Sequence, residues 1–505
     1  MRYVFDDCAL DIDRRELWRG HERVAVEPQV FDLLVHLIRH RDRVVSKDDL
    51  LAAVWHGRVV SESALFNRIN AARKALADTG ETQRLIKTLP RKGLRFVGKV
   101  FEEAPGSPPL PERPSIAVLP FANMSGNPRD EYFADGISED LVTGLAHIRW
   151  LFVIARNSTF AYKGRAVDAR QVARELGVRY VLEGSVRRAG ERLRITAQLI
   201  DAGTGAPHWA ERFDRQLGDI FAVQDEITRS VAAAIEPRVL AAEGVRALAR
   251  SPEHLGAWDL VAQGQAHFWR LTRADFEAAV QPLQRAVEGY PDYAPAHGRL
   301  GFCLAFAAHM GWTAAGAGMQ RGREHAVRAI ALDDRDPWGH IALGYCAMME
   351  RRTGESIAAF AQAVELNPNS AAAHSHLSRG LAFAGRDGEA IAHGEEAIRL
   401  SPFDPEMALF LGAIAVAHYT AGRYEEAARH TAEALRRRPG FQGAQRLQCA
   451  SLARMGRLEE ARGFLATVRQ AQPDLSIDWV RANIPYQTPE LLEAFVDGLR
   501  KAGLR

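Results

Sequence analysis

The residues best placed to do chemistry in this sequence are amides and cations, not acids or nucleophiles. From Ser61 to Ala77 the chain reads as a helix. At 100° per residue, Leu65, Ile69, Ala72 and Leu76 fall within about 60° of one another and form a core stripe. Ser63, Asn67, Asn70, Ala71 and Lys74 point the opposite way, with Arg68 and Arg73 on the flanks. An asparagine can bond the edge of adenine with both a donor and an acceptor, while neighbouring cations hold phosphates. A basic tip follows at Arg91 and Lys92, between two short apolar runs. Any one of these residues also suits a solvated polar helix face. The amide ridge, its flanking arginines and the basic tip together point to double-stranded DNA.

Charge placement supports this reading. The 505 residues hold 65 basic and 63 acidic groups, a net charge of +2, and 47% are hydrophobic, which excludes a wholly disordered or fibrous chain. Residues 1–57 carry 9 basic and 11 acidic groups, whereas residues 58–100 carry 10 and 3. The excess of seven positive charges therefore sits on one helix and the following hairpin. Duplex DNA attracts such a patch because each neutralised phosphate releases condensed counterions.

The elements that must carry these residues are legible in outline. Short alternating runs up to Pro28 suggest antiparallel strands turning at Arg19-Gly20-His21. A helix runs from Pro28 to about His40, and a second begins at Ser46, where Asp49 approximates a capping box. After the third helix, RLIKTL and LRFVGKV form a hairpin across Pro90 to Gly93. Helix, turn, helix and hairpin is the layout of a winged helix. The run VVSKDDLLAAVWHGRVVSESALFNRINAARKALAD, with RLIKTLPRKGLRFVG, resembles the winged-helix effector domain of the OmpR/PhoB class over essentially all of residues 1–100. That resemblance implies that the helix at 61–77 is the recognition helix and Pro90 to Leu94 the wing tip. The family's wing reads G-Y-R-F, and here Leu94 takes the tyrosine position, removing one hydroxyl contact. Residues 1–27 are too few for a phosphoacceptor receiver domain.

Residues 102–114 (EEAPGSPPLPERP) contain five prolines and read as a semi-extended linker. Residues 115–240 then alternate in type, as a small α/β domain does. SIAVLPF and LFVIAR suit buried strands, and helices are expected from Tyr132 to Leu145 and from Asp168 to Leu176. A hairpin turns at Ala189-Gly190, and a last helix from about Asp219 should end before Pro237. The acidic run Asp130, Glu131, Asp135, Glu139 and Asp140 reads as a solvated helix start. VLPFANMSGNPRDEYFADGISEDL and YVLEGSVRRAGERLRITAQLIDAGTGAPHWAERFD resemble a TolB-like amino-terminal module, a resemblance that supplies no ligand.

From about residue 252 to 475 the chain is helical and self-similar. Ala286, Ala329, Ala363, Ala397, Ala434 and Val468 recur at intervals of 43, 34, 34, 37 and 34 residues. Seven positions earlier stand Ala279, Gly322, Ser356, Ala390, Ala427 and Ala461. Five positions later stand Pro291, Asp334, Pro368, Pro402, Pro439 and Pro473. This is the tetratricopeptide (TPR) pattern, in six repeats, with Gly311–Met319 inserted in the long step. Stacked helix pairs of this kind expose a groove that takes a protein or peptide partner. Residues 476–505 suit a capping helix with Leu491, Leu492, Phe495 and Leu499 on one face.

No nucleotide loop, metalloprotease, nucleophile-elbow or kinase motif is present, so no enzymatic role, cofactor or metal is expected. His374-x-His376 lies on a repeat helix whose geometry points the two rings apart. Cys8, Cys303, Cys346 and Cys449 form no C-x-x-C pair, and no run is long enough to cross a membrane, so a cytoplasmic setting is expected. The expected architecture is multidomain, α+β and all-α: a winged helix-turn-helix, a small α/β domain and a TPR α-solenoid. The leading functional reading is a one-component DNA-binding transcriptional regulator, as a homodimer or on tandem half-sites, whose later domains sense a ligand or protein and bias contact with DNA or RNA polymerase. The alternative is a TPR scaffold in a cyclase-type signalling assembly.

Overall fold

The computed structural model describes every residue except 1, 13, 20–21, 56–61, 91, 99, 104–112, 166, 217–219, 251–254 and 314. Strands β1 (Arg2–Phe5), β2 (Cys8–Asp11), β3 (Glu16–Arg19) and β4 (Glu22–Val24) form an antiparallel meander. Tyr3, Phe5, Cys8, Leu10 and Leu17 from this sheet share one core with the three helices that follow. Helix α1 (Pro28–Arg39) starts on Pro28, whose fixed φ and missing N–H suit a first turn. Helix α2 (Lys47–Trp55) starts from a reciprocal cap. The Asp49 N–H donates to Ser46 Oγ at 3.1 Å, and the Ser46 N–H donates to Asp49 Oδ2 at 3.3 Å.

Helix α3 (Glu62–Ala75) precedes the wing, β5 (Ile86–Leu89) and β6 (Gly93–Phe96). Strand β7 (Phe101–Glu103) then returns to pair with β1. Residues 102 and 103, expected as linker, are therefore sheet, because the exposed edge of β1 offers their backbone a ladder.

In the second domain, β8 (Ser115–Val118) alternates: Ile116 and Val118 join one core, Ala117 the other. The first core is covered by α4 (Glu131–Ala146), which follows the two-residue strand β9 (Ala122–Asn123). Strand β10 (Phe152–Val153) runs parallel to β8 and is followed by α5 (Arg156–Phe160) and α6 (Ala169–Leu176). Val172 and Ala173 of α6 cover the second core. The hairpin of β11 (Tyr180–Ala189) and β12 (Arg192–Asp201) turns where expected. A third long strand, β13 (Pro207–Gln216), extends it. Only Trp209 and Phe213 are buried in that strand, too few apolar residues for its alternation to stand out. The acidic run is ion-paired rather than merely solvated: Lys163 lies 3.0 Å from Glu131 and 2.6 Å from Asp135, and Arg188 lies 3.3 Å from Asp130.

The last helix of this domain does not stop at Pro237. Helix α7 (Ile220–Leu248) runs through it and packs on α4 at one end and on the first repeat helix at the other. A proline inside a helix costs about 3 kcal/mol; here buried Val231, Ile235, Val239 and Leu240 flank it and offset that cost. The two domains thus share one helix and one hydrophobic core.

The repeats pair α8 (Ala257–Phe268) with α9 (Arg273–Gly289), α10 (Ala294–Met310) with α11 (Ala315–Leu332), and α12 (Pro337–Met349) with α13 (Thr353–Leu366). The series continues with α14 (Ala371–Phe383) and α15 (Asp387–Leu400), α16 (Met407–Thr420) and α17 (Tyr424–Arg437), and α18 (Gln442–Arg454) and α19 (Leu458–Ala471). The small residues at both recurring positions are buried in each repeat. At Gly301 and Gly322 the backbones of α10 and α11 approach so closely that a Cβ on either would crowd the other's carbonyl. The inserted segment lengthens the start of α11 rather than forming a free loop.

Among the described residues the repeats leave no open groove of the kind expected. The inner helices α10, α14 and α16 are buried on nearly every face. Residues far apart in sequence also meet across the interior. Trp312 Nε1 donates to Gln442 Oε1 at 2.9 Å, and Arg438 Nε donates to the Trp269 carbonyl at 2.8 Å. The carboxyl end supplies two helices, α20 (Ile477–Asn483) and α21 (Pro489–Lys501), and the strand of chain between them lies against α12 and α14. There Gln487 N–H donates to the Phe383 carbonyl at 3.1 Å. The concave side is filled by the chain's own side chains and carboxyl terminus. Phe495 and Leu499 of α21 are buried as expected, with Leu491 and Leu492 half-buried. Among the described residues, no helix is long and apolar enough to cross a membrane.

Candidate nucleic-acid interface

Helix α3 presents the ridge its sequence pattern requires. Leu65, Ile69, Ala72 and Leu76 are buried against α1 and the wing, and Ser63, Asn67, Asn70 and Lys74 are exposed together on the opposite side. Ala71 is half-buried between the two faces.

The two flanking arginines have different fates. Arg73 is turned inward and only 7% exposed. Its Nη2 donates to the Ile86 carbonyl at 3.1 Å and to Thr88 Oγ1 at 2.8 Å, so it braces α3 against β5 instead of reaching outward for phosphate. At 100° per residue it lies about 40° beyond Ile69, the edge of the core stripe, near enough for a long side chain to fold back over that apolar edge. Arg68 is half-buried, with Nε donating to Gln29 Oε1 at 3.0 Å and Nη2 lying 2.8 Å from Glu27 Oε2. It ties α3 to the start of α1 and is already ion-paired.

The wing is set by two devices that sequence reasoning passed over. Val45, in the turn before α2, exchanges both backbone hydrogen bonds with Leu94, at 2.8 and 2.9 Å, adding a bridge to the hairpin. Gly93 permits this approach: its φ is +133°, and a Cβ there would collide with the Val45 carbonyl. Asp78 lies just after α3, and its carboxylate accepts from the N–H groups of Arg84, Leu85 and Ile86 at 2.8, 3.1 and 2.9 Å and from Thr82 Oγ1 at 3.0 Å. Burial pushes that carboxyl up, but the backbone donors of Ile86, Arg84 and Leu85 outweigh it and hold it below the ordinary aspartate value. The end of α3 and the wing are thereby joined through a single buried anion. An acidic residue ending a helix before a Thr-Gly-Glu-Thr turn was the available signal.

Three further exposed groups belong to this face. Lys87 and Arg95 are cross-strand partners on β5 and β6 and both are exposed, an arrangement of like charges that costs stability unless an anion lies over it. Phe66 is 58% exposed on α3, off the core stripe, where an aromatic ring suits a thymine methyl group or a protein surface. Lys92 is exposed at the wing tip; Arg91 lies outside the described residues. His374 and His376 do point apart. His374 pairs with His393, and His376 is enclosed by Phe302, Tyr345 and Phe360.

Comparison with known proteins agrees with this geometry. Residues 21–96 match the family described as transcriptional regulatory protein, C terminal, and residues 112–230 match the HilA/YgeH-like transcriptional regulator, second domain. Residues 321–405 and 418–482 match tetratricopeptide repeats. The middle domain is thus matched to a regulator domain and not to the TolB-like module its phrases resemble. The chain is 44% identical over 268 residues to putative adenylate cyclase 3 of Rhizobium meliloti, covering 53% of this chain and 45% of that protein. It therefore spans less than half the length of that relative. It is 25% identical over 411 residues to the transcriptional regulator HilA of Salmonella typhi, covering 79% of this chain and 71% of that one. Among solved structures, the DNA-binding domain of Klebsiella pneumoniae RstA, crystallised with the RstA box, is 28% identical over 19% of this chain and 95% of its own, with a TM-score of 0.18. In outline the chain joins a winged-helix DNA-binding domain of the transcriptional-regulator class to a HilA-like regulator domain and tetratricopeptide repeats.

Proposed function

We propose that this chain is a one-component, cytoplasmic transcriptional regulator without enzymatic activity. In this reading α3 enters the major groove. Asn67 and Asn70 read base edges, Ser63 and Lys74 contact the backbone near them, and the wing lays Lys87, Lys92, Arg91 and Arg95 along phosphates. The observation that carries it is the uncovered amide ridge of α3 beside a wing whose like charges, Lys87 and Arg95, face no anion among the described residues. Arg68 takes part only by exchanging Glu27 for a phosphate. Binding as a homodimer or on tandem half-sites, and contact with RNA polymerase, belong to the same proposal, as does any kinship of the middle domain to the TolB-like module. A protein partner would dock on the outer surface of the repeats, since their inner side is filled.

A second reading has one specific observation in its favour: the 44% identity to a protein named as a putative adenylate cyclase. In it the repeats scaffold a signalling assembly and the winged helix contacts protein. Salt dependence separates the two. Regulated DNA binding should weaken steeply between roughly 50 and 200 mM salt, and Asn67→Ala with Asn70→Ala should abolish sequence preference while sparing salt-dependent binding. A chain that retards no genomic fragment at low salt would overturn the first reading.

A further inference from the structure

Inside the closed repeat array lie two buried cations that have no carboxylate counter-charge among the described residues; the Trp479 ring, 5.1 Å from the Arg446 guanidinium carbon, adds a cation–π contact only. Arg379 on α14 and Arg446 on α18 are 3% and 1% exposed. Among the described residues, neither has a carboxylate within ion-pair distance. Arg379 Nη2 donates to the Leu409 carbonyl at 2.8 Å, and its Nε has no hydrogen-bond partner. Arg446 donates to Gln472 Oε1 at 3.0 Å and to the carbonyls of His309 and Met310 at 3.3 and 3.5 Å. These acceptors are all neutral. The nearby polar groups, His309 and Tyr345, are bonded to each other at 2.7 Å. Burial, followed by Arg446 and Arg379, holds the His309 imidazole uncharged, while burial pushes the Tyr345 hydroxyl above its ordinary value.

Burial lowers both guanidiniums, Arg446 to about 10, which leaves it protonated at neutral pH. A buried cation without a counter-charge costs several kcal/mol. Elsewhere in the same interior the chain does supply one: Arg299 faces Glu406, Glu236 and Asp336. Both uncompensated arginines line a cavity of about 30 Å³, which is closed by Phe383, Phe441 and, from the carboxyl-terminal segment, Tyr486. That volume suits a small ion and is far too small for an aromatic or nucleotide ligand.

We infer that this cavity is a binding site for a small monovalent anion, a carboxylate or halide, held between Arg379 and Arg446 at the centre of the repeat array. It goes beyond the regulatory reading and holds whether or not the amino-terminal domain reads DNA. An anion there would neutralise α14 and α18 together and fix the carboxyl-terminal segment over them, so occupancy stabilises the closed array.

The test is thermal unfolding of the full chain titrated with sodium formate or sodium chloride, at ionic strength held constant with sodium gluconate. The expected result is a saturable rise in Tm with at least one of the small anions. Formate alone identifies a carboxylate site and chloride alone a halide site. Arg379→Met or Arg446→Met should weaken the apparent affinity by about tenfold or more, as loss of a charge-assisted bond implies. Val416→Leu keeps both arginines and fills the cavity, so it should abolish the saturable response even if the arginine variants fail to fold. Equal shifts with formate, chloride and gluconate would overturn the proposal, as would a Val416→Leu response equal to that of the unaltered chain.

Discussion

The Nδ1 atoms of His297 and His325 lie 3.0 Å apart across the seam between α10 and α11. Two facing ring nitrogens can share only one proton. The Nε2 of His297 lies 3.0 Å from the Pro291 carbonyl and must donate to it, so its Nδ1 accepts and His325 donates. The same arrangement recurs at His374 and His393, again 3.0 Å apart, with His374 Nε2 3.2 Å from the Pro368 carbonyl. Neither pair can hold two imidazolium rings, because both facing Nδ1 atoms would then carry a proton.

This predicts an acid-sensitive array. Burial, then His297 and Arg321, against Glu324, lower His325 from 6.5 to about 4. Burial and Arg328 lower His297, against the Pro291 carbonyl and Asp292. Below pH 6.5 the unfolded chain takes up protons that the folded pair refuses, so this contribution falls as pH drops from 6.5 toward 4. Glu236, raised by burial to about 7, works in the opposite sense, its contribution fading as pH rises from 4.5 to 7. The test is therefore differential. The urea midpoint of His325→Gln should fall less between pH 7 and pH 5 than that of the unaltered chain, and equal falls would refute the pairing argument.

Much of the winged helix was legible because its signals are local: a proline at the first turn, a Ser46–Asp49 cap and a core stripe repeating at helical spacing. The side taken by Arg73 is not legible, for a physical reason. A residue at the edge of the apolar stripe reaches either way, and only the position of β5 decides it. Pro237 signals a helix stop by its local chemistry, whereas the deciding term is packing on both neighbouring domains. The filled groove was invisible for the same reason. Repeat periodicity fixes how each helix pair stacks, but Trp312 meets Gln442 only through the accumulated curvature of several repeats.

The two basic residues Arg73 and Lys74, adjacent in sequence, should separate cleanly. Arg73→Met removes two hydrogen bonds made by a buried cation and should cost about 2–3 kcal/mol in the unfolding of the winged-helix domain. Lys74→Ala, on the exposed ridge, should change stability by less than about 0.5 kcal/mol. In the DNA-binding reading it should instead lower the salt slope by about one, as loss of a phosphate contact does. Denaturant melts and salt-dependent binding isotherms on both variants check the contrast.

Asp78→Ala should be more damaging than its distance from the amide ridge suggests. It leaves four backbone donors, of Thr79, Arg84, Leu85 and Ile86, and the Thr82 hydroxyl without their shared acceptor, at a cost of about 3 kcal/mol. Since the folded carboxyl sits below 3.8, its contribution is fully present above that pH and is lost as pH falls through the folded value. Asp78→Asn removes the charge and should match the acid-weakened state at pH 7. Binding of DNA by either variant, measured below its melting temperature, should lose the wing's contribution before that of α3.

Gly93→Ala should disturb the same junction from the other side. The added Cβ meets the Val45 carbonyl at a φ that alanine avoids, so either the Val45–Leu94 bridge breaks or the hairpin tip shifts. Strain of this kind costs about 1–3 kcal/mol. Amide exchange at Leu94 should accelerate while exchange in α1 remains slow. Equal acceleration in both would mean that the wing is not a separately opening unit.

The closure of the repeat array has its own test in Trp312. Its ring is 7% exposed, packs 5.8 Å from Phe276 and 5.9 Å from Phe306 between ring centres, and bonds Gln442 on α18. Trp312→Ala should cost about 3–5 kcal/mol through lost packing and the cavity left behind. Gln442→Leu keeps the packing and removes the bond to Trp312, with a long one of 3.4 Å from Gln442 Nε2 to the Ala471 carbonyl, for about 1 kcal/mol. If Trp312 helps to hold the two ends of the array together, the radius of gyration from small-angle scattering should grow for Trp312→Ala and stay unchanged for Gln442→Leu. Equal costs and an unchanged radius in both would mean that the carboxyl-terminal segment and Arg438 close the array without it.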